Sequence, residues 1–381
     1  MIAKEEEIDF TKLQPWNSGD YPLEVNSIRY NQDFSLITLG TSKGYKIFFA
    51  STLRPAHEPS QAVMNFGDIG IAATYYKSSL VFLLPSKNNS DYSNKEIIVF
   101  DDLYQDKFAT FKDKSEEILN FYLSKNTMFV ITLSKIIVLE ILSFKIIDII
   151  NNINSMNQLI SYNYYDFIAY SELKEKTKVY IKYYHNENHK IVSLKKNIVK
   201  ISFDFMQTIQ LSPSGNIIGI VSIFGNKIHL YYTQTGKLKE CILLSPYILT
   251  IDKLLFSKKA NYIMTIRCDK KFSVYKINNN VNNQDDVKCM CSKYKDSNVM
   301  LEEMDEKNTG IFGFFRRVSI NRDLKETHAF SEYKGDLLFI DFDGNVNKDI
   351  IIINGKGEFL KYHFKKNSCG HLTPIISFQW E

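Results

Sequence analysis

Apolar residues along this chain come in runs of four to six separated by short polar turns, and the i, i+3, i+4 spacing of helices is nearly absent. A short strand ending in an aromatic or large apolar residue, then a turn, recurs along the whole sequence. It appears at Gly44–Phe48, Lys95–Phe100, Lys135–Leu139, Lys178–Tyr183, Asn226–Tyr231, Lys271–Tyr275 and Gly357–Tyr362. Successive copies end 52, 39, 44, 48, 44 and 87 residues apart. The first five spacings lie near the roughly 40–45-residue period of a four-stranded propeller blade. Companion strands at Phe34–Gly40, Asn126–Thr132, Gly215–Val221 and Asn261–Ile266 each precede a repeat strand by one tight turn. Runs this apolar fit strands covered on both faces by neighbouring blades. Seven repeats predict an all-β fold, one seven-bladed, WD-repeat-like β-propeller over residues 1–381.

The 87-residue spacing holds one period plus an insertion, predicted as a long loop of the sixth blade at 278–311. It begins with the Asn-rich run Asn278–Asp286 and is followed by the apolar, then basic Ile311–Ile320. Val299, Met300 and Leu301, then Phe312, Phe314 and Phe315, supply apolar area, and Arg316 and Arg317 could meet anionic headgroups. Phe312, Phe314, Phe315, Arg316 and Arg317 are therefore the candidate membrane-contact residues. Glu302, Glu303, Asp305 and Glu306 oppose that attraction, and an insert followed by an ordinary strand is the plainer alternative.

Composition narrows the classes. A chain 44% hydrophobic and 14% aromatic is globular, and a net charge of +4 without a basic run gives no argument for nucleic acid. The most apolar stretch, Lys135–Lys145, is about half the roughly 20 residues of a membrane-spanning helix and contains Glu140. The acidic start, Met1–Asp9, lacks a signal-peptide core, and five Cys form no regular framework. A cytoplasmic, monomeric protein is expected, with any membrane contact peripheral.

Ile28–Phe48, Ser93–Asp102, Leu211–Ser222 and the end from Asp349 to Tyr362 with Phe378–Glu381 resemble the first, second, fifth and last blades of the PROPPINs. These are seven-bladed propellers that bind phosphoinositides in autophagy and in endosome or vacuole traffic. The resemblance covers nearly the whole chain. It implies a non-enzymatic scaffold at phosphatidylinositol 3-phosphate membranes, with autophagy or trafficking proteins as partners and no cofactor.

The family's Phe-Arg-Arg-Gly motif does not survive. Aligning Thr235–Leu238 with the family's turn puts the motif on Ile242, Leu243, Leu244 and Ser245, so both arginines are leucines. In the family the two Arg point to opposite sides of their strand and serve separate pockets. Of the surrounding pocket residues Ser222 remains, Asn226 replaces a Thr and His229 replaces an Arg, leaving these three as the lipid-binding remnants. The sixth-blade counterpart, Arg267–Tyr275, loses its serine pair, Thr and His. Two lost charged partners correspond to roughly 3–6 kcal/mol, or about a hundred- to ten-thousand-fold in affinity. Direct lipid binding is expected to be weakened. The alternative is a divergent propeller that has lost phosphoinositide binding and works only as a protein–protein interaction platform. Phe314–Val318 superficially resembles the missing motif, but its position matches the strand that closes the sixth blade after the loop.

Other constellations read more simply. His185 and His189 lie in a predicted hairpin rather than on one helix face, so a polar turn is favoured over zinc. Cys289 and Cys291 have the wrong spacing for a zinc knuckle, and no metal site is expected. Asn354–Gly357 reads as a hairpin turn, and Asp101 with Asp102 as turn-fixing carboxylates, since strand neighbours point to opposite faces. No Ser/His/Asp or Cys/His arrangement assembles, which gives no catalytic residue. A hydrolase in the central channel would need polar residues converging at strand ends.

Overall fold

The computed structural model describes residues 24–52, 54–56, 66–153, 159–175, 177–187, 190–201, 206–244, 250–268, 272–277, 328–329, 337–342, 349–354, 359–363 and 373–378. These residues form antiparallel sheets in chain order. The first sheet holds β1 (Val25–Tyr30), β2 (Leu36–Thr41) and β3 (Gly44–Phe49); the second holds β4 (Ile69–Thr74), β5 (Leu80–Pro85), β6 (Glu96–Asp101) and β7 (Asp106–Lys112). The third holds β8 (Ile118–Leu123), β9 (Thr127–Thr132), β10 (Lys135–Glu140) and β11 (Ile146–Asn151). The fourth holds β12 (Ile160–Tyr162), β13 (Phe167–Tyr170), β14 (Lys178–Glu187) and β15 (Lys190–Lys200). The fifth holds β16 (Met206–Leu211), β17 (Ile217–Ser222), β18 (Lys227–Tyr232) and β19 (Leu238–Leu243). The sixth holds β20 (Ile251–Phe256), β21 (Tyr262–Arg267), β22 (Phe272–Lys276) and β23 (His328–Ala329). The last holds β24 (Leu337–Phe342), β25 (Asp349–Asn354), β26 (Phe359–His363) and β27 (Thr373–Phe378).

Every repeat strand found in the sequence is the third strand of its sheet, namely β3, β6, β10, β14, β18, β22 and β26. The companion runs are second strands. β2 and β9 are buried at all six positions, as strands pressed between neighbouring sheets must be. Where seven four-stranded blades were expected, the described residues give six sheets of four strands and a first sheet of three. Past β3 the chain turns back: Phe49 N–H donates to the Arg54 carbonyl and Ala56 N–H to the Ile47 carbonyl.

Successive sheets pack face to face. Ala73, Phe82, Val99, Phe121 and Met128 join the second sheet to the third, and Tyr30, Ile37, Ile351 and Ile353 join the last back to the first. That contact closes the ring. β1 touches β4, β12 touches β16, β16 touches β20, and β20 touches β24, so first strands line the centre. The sheets approach closely at Gly219 on β17, where an added Cβ would lie 2.8 Å from Leu254 Cδ2 of the sixth sheet. No helix of the described residues is long and apolar enough to cross a membrane.

The expected loop at 278–311 lies outside the described residues, between β22 and β23. Phe312, Phe314, Phe315, Arg316 and Arg317 are outside them too, as are Ser245, His189, Cys289 and Cys291. The described strand that pairs with β22 is β23 at His328–Ala329, downstream of the Phe314–Val318 run read as the closing strand.

Candidate functional site

The predicted pocket falls on the fifth sheet, at the end of β19 and the turn between β17 and β18. Antiparallel register sets Leu243 opposite Lys227, Ile242 opposite Ile228, and Cys241 opposite His229. Leu244 N–H donates to the Asn226 carbonyl at 2.8 Å, which ties the strand end to the turn. The Leu244 side chain is 7% exposed and packs with Val221, Ile228, Leu230, Ile251 and Leu254 between the fifth and sixth sheets. Ile242 packs against the same cluster, and Leu243 is half-buried. Leu244 thereby forms part of the apolar seam between the fifth and sixth sheets.

Ser222 and Asn226 are brought together at this turn, and His229 lies on the strand that follows. Ser222 Oγ donates to Asn226 Oδ1 at 3.1 Å, and Gly225 N–H donates to the Ser222 carbonyl at 2.8 Å. Both bonds hold the β17–β18 turn. His229, on β18, is 8% exposed, with its ring 6.4 Å from that of Tyr231. Burial, helped by the nearby Lys227 charge, pushes its imidazole down to about 4. At neutral pH His229 is uncharged, so it does not replace the cation an arginine would supply to a phosphate.

Next to these residues the turn exposes Ile223 and Phe224, at 44% and 53%. Beside this apolar area Lys227, opposite Leu243, supplies the nearby cation.

The centre of the ring carries groups that the sequence patterns did not single out. Arg29 of β1 reaches to β8, donating to the Phe121 carbonyl and to Asn120 Oδ1. Its guanidinium lies 5.2 Å from the Tyr122 ring centroid and 5.4 Å from that of Phe121. Tyr122 stacks on Tyr162 at 4.1 Å, Tyr162 meets Tyr164 edge-on, and Tyr164 meets Phe34 at 5.1 Å. Burial raises the phenols of Tyr122 and Tyr164, and pushes Tyr162 up to about 12, against the lowering pull of Arg29. These are neutral packing rings with Arg29 over Tyr122 and Lys258 over Phe34, 5.6 Å from its centroid. The only signal for them in the sequence was tyrosine density around 162–165.

The turn-fixing reading has direct geometry at Asp101, while Asp102 also ties to Tyr45 of the first sheet. Asp101 Oδ1 accepts from Leu103 N–H at 3.1 Å, and Asp102 accepts from the Tyr45 hydroxyl at 2.6 Å. His185 Nδ1 lies 3.3 Å from the Tyr183 hydroxyl. Among the described residues no cluster of three His, Cys, Asp or Glu side chains is placed to hold a metal ion.

No family model matches the sequence. SVP1-like protein 2 of Schizosaccharomyces pombe is 29% identical over 79 residues, 21% of this chain and 21% of that protein. The match therefore spans about a fifth of that relative. Over the fold the likeness is far more extensive. Kluyveromyces lactis Hsv2 superposes with a TM-score of 0.70, at 12% identity, over 94% of this chain and 100% of that one. The fold is that of a PROPPIN-like propeller. KlAtg21, in its complex with the coiled-coil of AgAtg16, gives a TM-score of 0.65 at 12% identity, again over 94% and 100%. The β-propeller domain of Cps50 (Swd1) from Myceliophteria thermophila gives 0.55 at 9% identity, over 90% and 98%.

Proposed function

We propose that this chain is a non-enzymatic, PROPPIN-like scaffold of autophagy or of endosome and vacuole traffic, reaching its membrane chiefly through protein partners. The observation that carries the reading is Leu244. Leu244 is packed in the seam between two blades at the position where the resemblance expects a motif arginine, while the likeness to the Hsv2 and KlAtg21 structures over 94% of the chain supports the scaffold. Neutral His229 and the self-satisfied Ser222–Asn226 pair support weakened direct recognition of phosphatidylinositol 3-phosphate. The first sheet, with the returning Arg54–Ala56 segment as the start of a fourth strand, counts as the seventh blade. The protein is cytoplasmic and monomeric, and peripheral on phagophore, endosomal or vacuolar membranes when recruited.

Because KlAtg21 was captured with the coiled-coil of AgAtg16, a coiled-coil partner of the same kind is the first to test. Isothermal titration of the purified chain with an Atg16-type coiled coil from the same cell should show saturable binding. Failure of that coiled coil and of other autophagy coiled coils to bind would remove the scaffold reading.

A further inference from the structure

Six described turns join the first strand of a sheet to its second, at 31–35, 75–79, 124–126, 163–166, 212–216 and 257–261. They lie at one end of the ring, opposite the β17–β18 turn that carries Ser222 and Asn226. Neighbouring turns are tied together. Gln32 Oε1 accepts from Tyr76 N–H at 2.6 Å, the Tyr75 hydroxyl donates to the Lys125 carbonyl at 2.9 Å, and Asn163 Nδ2 donates to the Pro213 carbonyl at 3.3 Å. Phe34 of the first sheet reaches Tyr164 of the fourth, with ring centroids 5.1 Å apart.

Positive charge is left over at this end. The six turns hold four lysines and two aspartates. Both aspartates are already answered. Asp33 accepts from Ser35 N–H at 3.1 Å, and Asp166, 3% exposed, accepts from Asn126 N–H and Nδ2 and from Thr127 N–H and Oγ1. Lys77, Lys125 and Lys258 are exposed and form no ion pair among the described residues. The other end of the ring differs. There Lys87 pairs with Glu117 at 2.8 Å, Lys135 with Asp113 at 3.0 Å and Lys178 with Glu175 at 2.7 Å. Cations left uncompensated on one face draw in anionic ligands.

Aromatic rings lie between these cations. Lys258 Nζ is 5.6 Å from the Phe34 centroid, Tyr75 and Tyr76 meet edge-on at 5.1 Å, and Tyr165 is 57% exposed. Phe34 and Tyr76 hold φ angles of 62° and 49°, where the corresponding turn of the fifth sheet uses Gly215 at 77°. A Cβ is disfavoured in that region, and bulky side chains persist there where something other than the local backbone requires the ring.

We propose that this end of the ring docks an acidic, extended peptide segment of a partner protein that carries one aromatic anchor. Lys77, Lys125 and Lys258 select its Asp and Glu side chains and steer its approach. The anchor packs on Tyr76 and Tyr165, as aromatic rings do at the centre of binding surfaces. Nucleic acid is the poorer match, because the six turns hold no arginine and the entire chain is only +4. The site rests on the scaffold reading only in that its occupant is a protein, and it makes no use of the fifth-sheet motif.

Fluorescence anisotropy on the full chain tests it, with a labelled peptide of Glu and Asp around one Trp. The comparisons are its Gln/Asn counterpart, its Trp→Ala counterpart and a single-stranded oligothymidylate. Saturable binding of the acidic peptide is expected, weakening severalfold as salt rises from about 50 to about 300 mM. K77E/K125E/K258E should weaken it by at least about tenfold and Y165S by about threefold, with thermal midpoints unchanged because all four side chains are exposed. Tyr76→Gly should also weaken it about threefold without lowering the midpoint, since glycine relieves the turn. Equal binding of the Gln/Asn or the Trp→Ala peptide, indifference to the lysine variant, or no saturation overturns the proposal. Tighter binding of the oligothymidylate would overturn it in favour of single-stranded nucleic acid. Binding of an Atg16-type coiled coil but not of the peptide would remove this site and leave the scaffold reading standing.

Discussion

Substituting Leu244 by arginine asks whether the position is a lost pocket or part of the core. Its side chain is 7% exposed in a cluster fed by β17, β18 and β20. Removing a leucine from such a site costs about 2–5 kcal/mol. The arginine must also place a charge there without a partner, which adds several kcal/mol unless the chain snorkels to the turn. Leu244→Arg is therefore expected to lose at least about 4 kcal/mol. Leu243→Arg, at a half-buried strand end, should change stability by less than about 1 kcal/mol. Urea denaturation followed by circular dichroism measures both, with the midpoint of Leu244→Arg falling well below that of Leu243→Arg. The contrary result is Leu244→Arg unfolding like the native chain while Leu243→Arg with Leu244→Arg gains phosphoinositide binding. That outcome would mean an open pocket that lacks only its arginines.

Three further results are expected. His229 is held near 4 in the folded chain against 6.5 unfolded, so its contribution is complete above about pH 6.5 and declines as pH falls toward 4, by about 2 kcal/mol at pH 5. A His229→Leu variant should lack that slope in denaturation curves taken across this range, and an identical slope would contradict the assignment. Arg29→Ala breaks the bridge from β1 to β8 and should cost about 3 kcal/mol; Arg29→Lys should recover less than half, because an ammonium cannot reproduce the fork to Phe121 and Asn120. Equal stability of the lysine variant and the native chain would remove that role. Asp166→Ala leaves four turn donors unanswered and should cost about 2–4 kcal/mol, read by thermal unfolding, with Asp166→Asn milder because asparagine tolerates its φ of 64°. Equal losses for the two would show that the turn does not depend on the backbone at this position.

The repeat was legible because every blade must bury its third strand against two neighbours, so β6, β10 and β18 each carry the same apolar run. What lay between runs was less legible. The fourth strand of the sixth sheet is a two-residue pairing, Ser273↔Ala329 and Val274↔His328, too short to leave any hydrophobic pattern. The first sheet's return segment likewise bonds through Arg54 and Ala56, which no periodicity marks. On the fifth sheet, residue identity marked Leu243 and Leu244, but their depth was invisible. Leu243 and Leu244 look alike in sequence, and only the packing of the sixth sheet makes one a seam residue. Arg29 was hidden for the opposite reason, since its partners are 91 and 92 residues away in the chain.

Flotation of the purified chain with liposomes tests the account most directly, comparing membranes with and without phosphatidylinositol 3-phosphate at physiological salt. The sealed Leu244 and uncharged His229 predict no phosphoinositide-dependent flotation. Flotation that needs the phosphoinositide and is lost on changing Ser222, Asn226 or His229 would contradict it, placing a working headgroup site on the fifth blade after all.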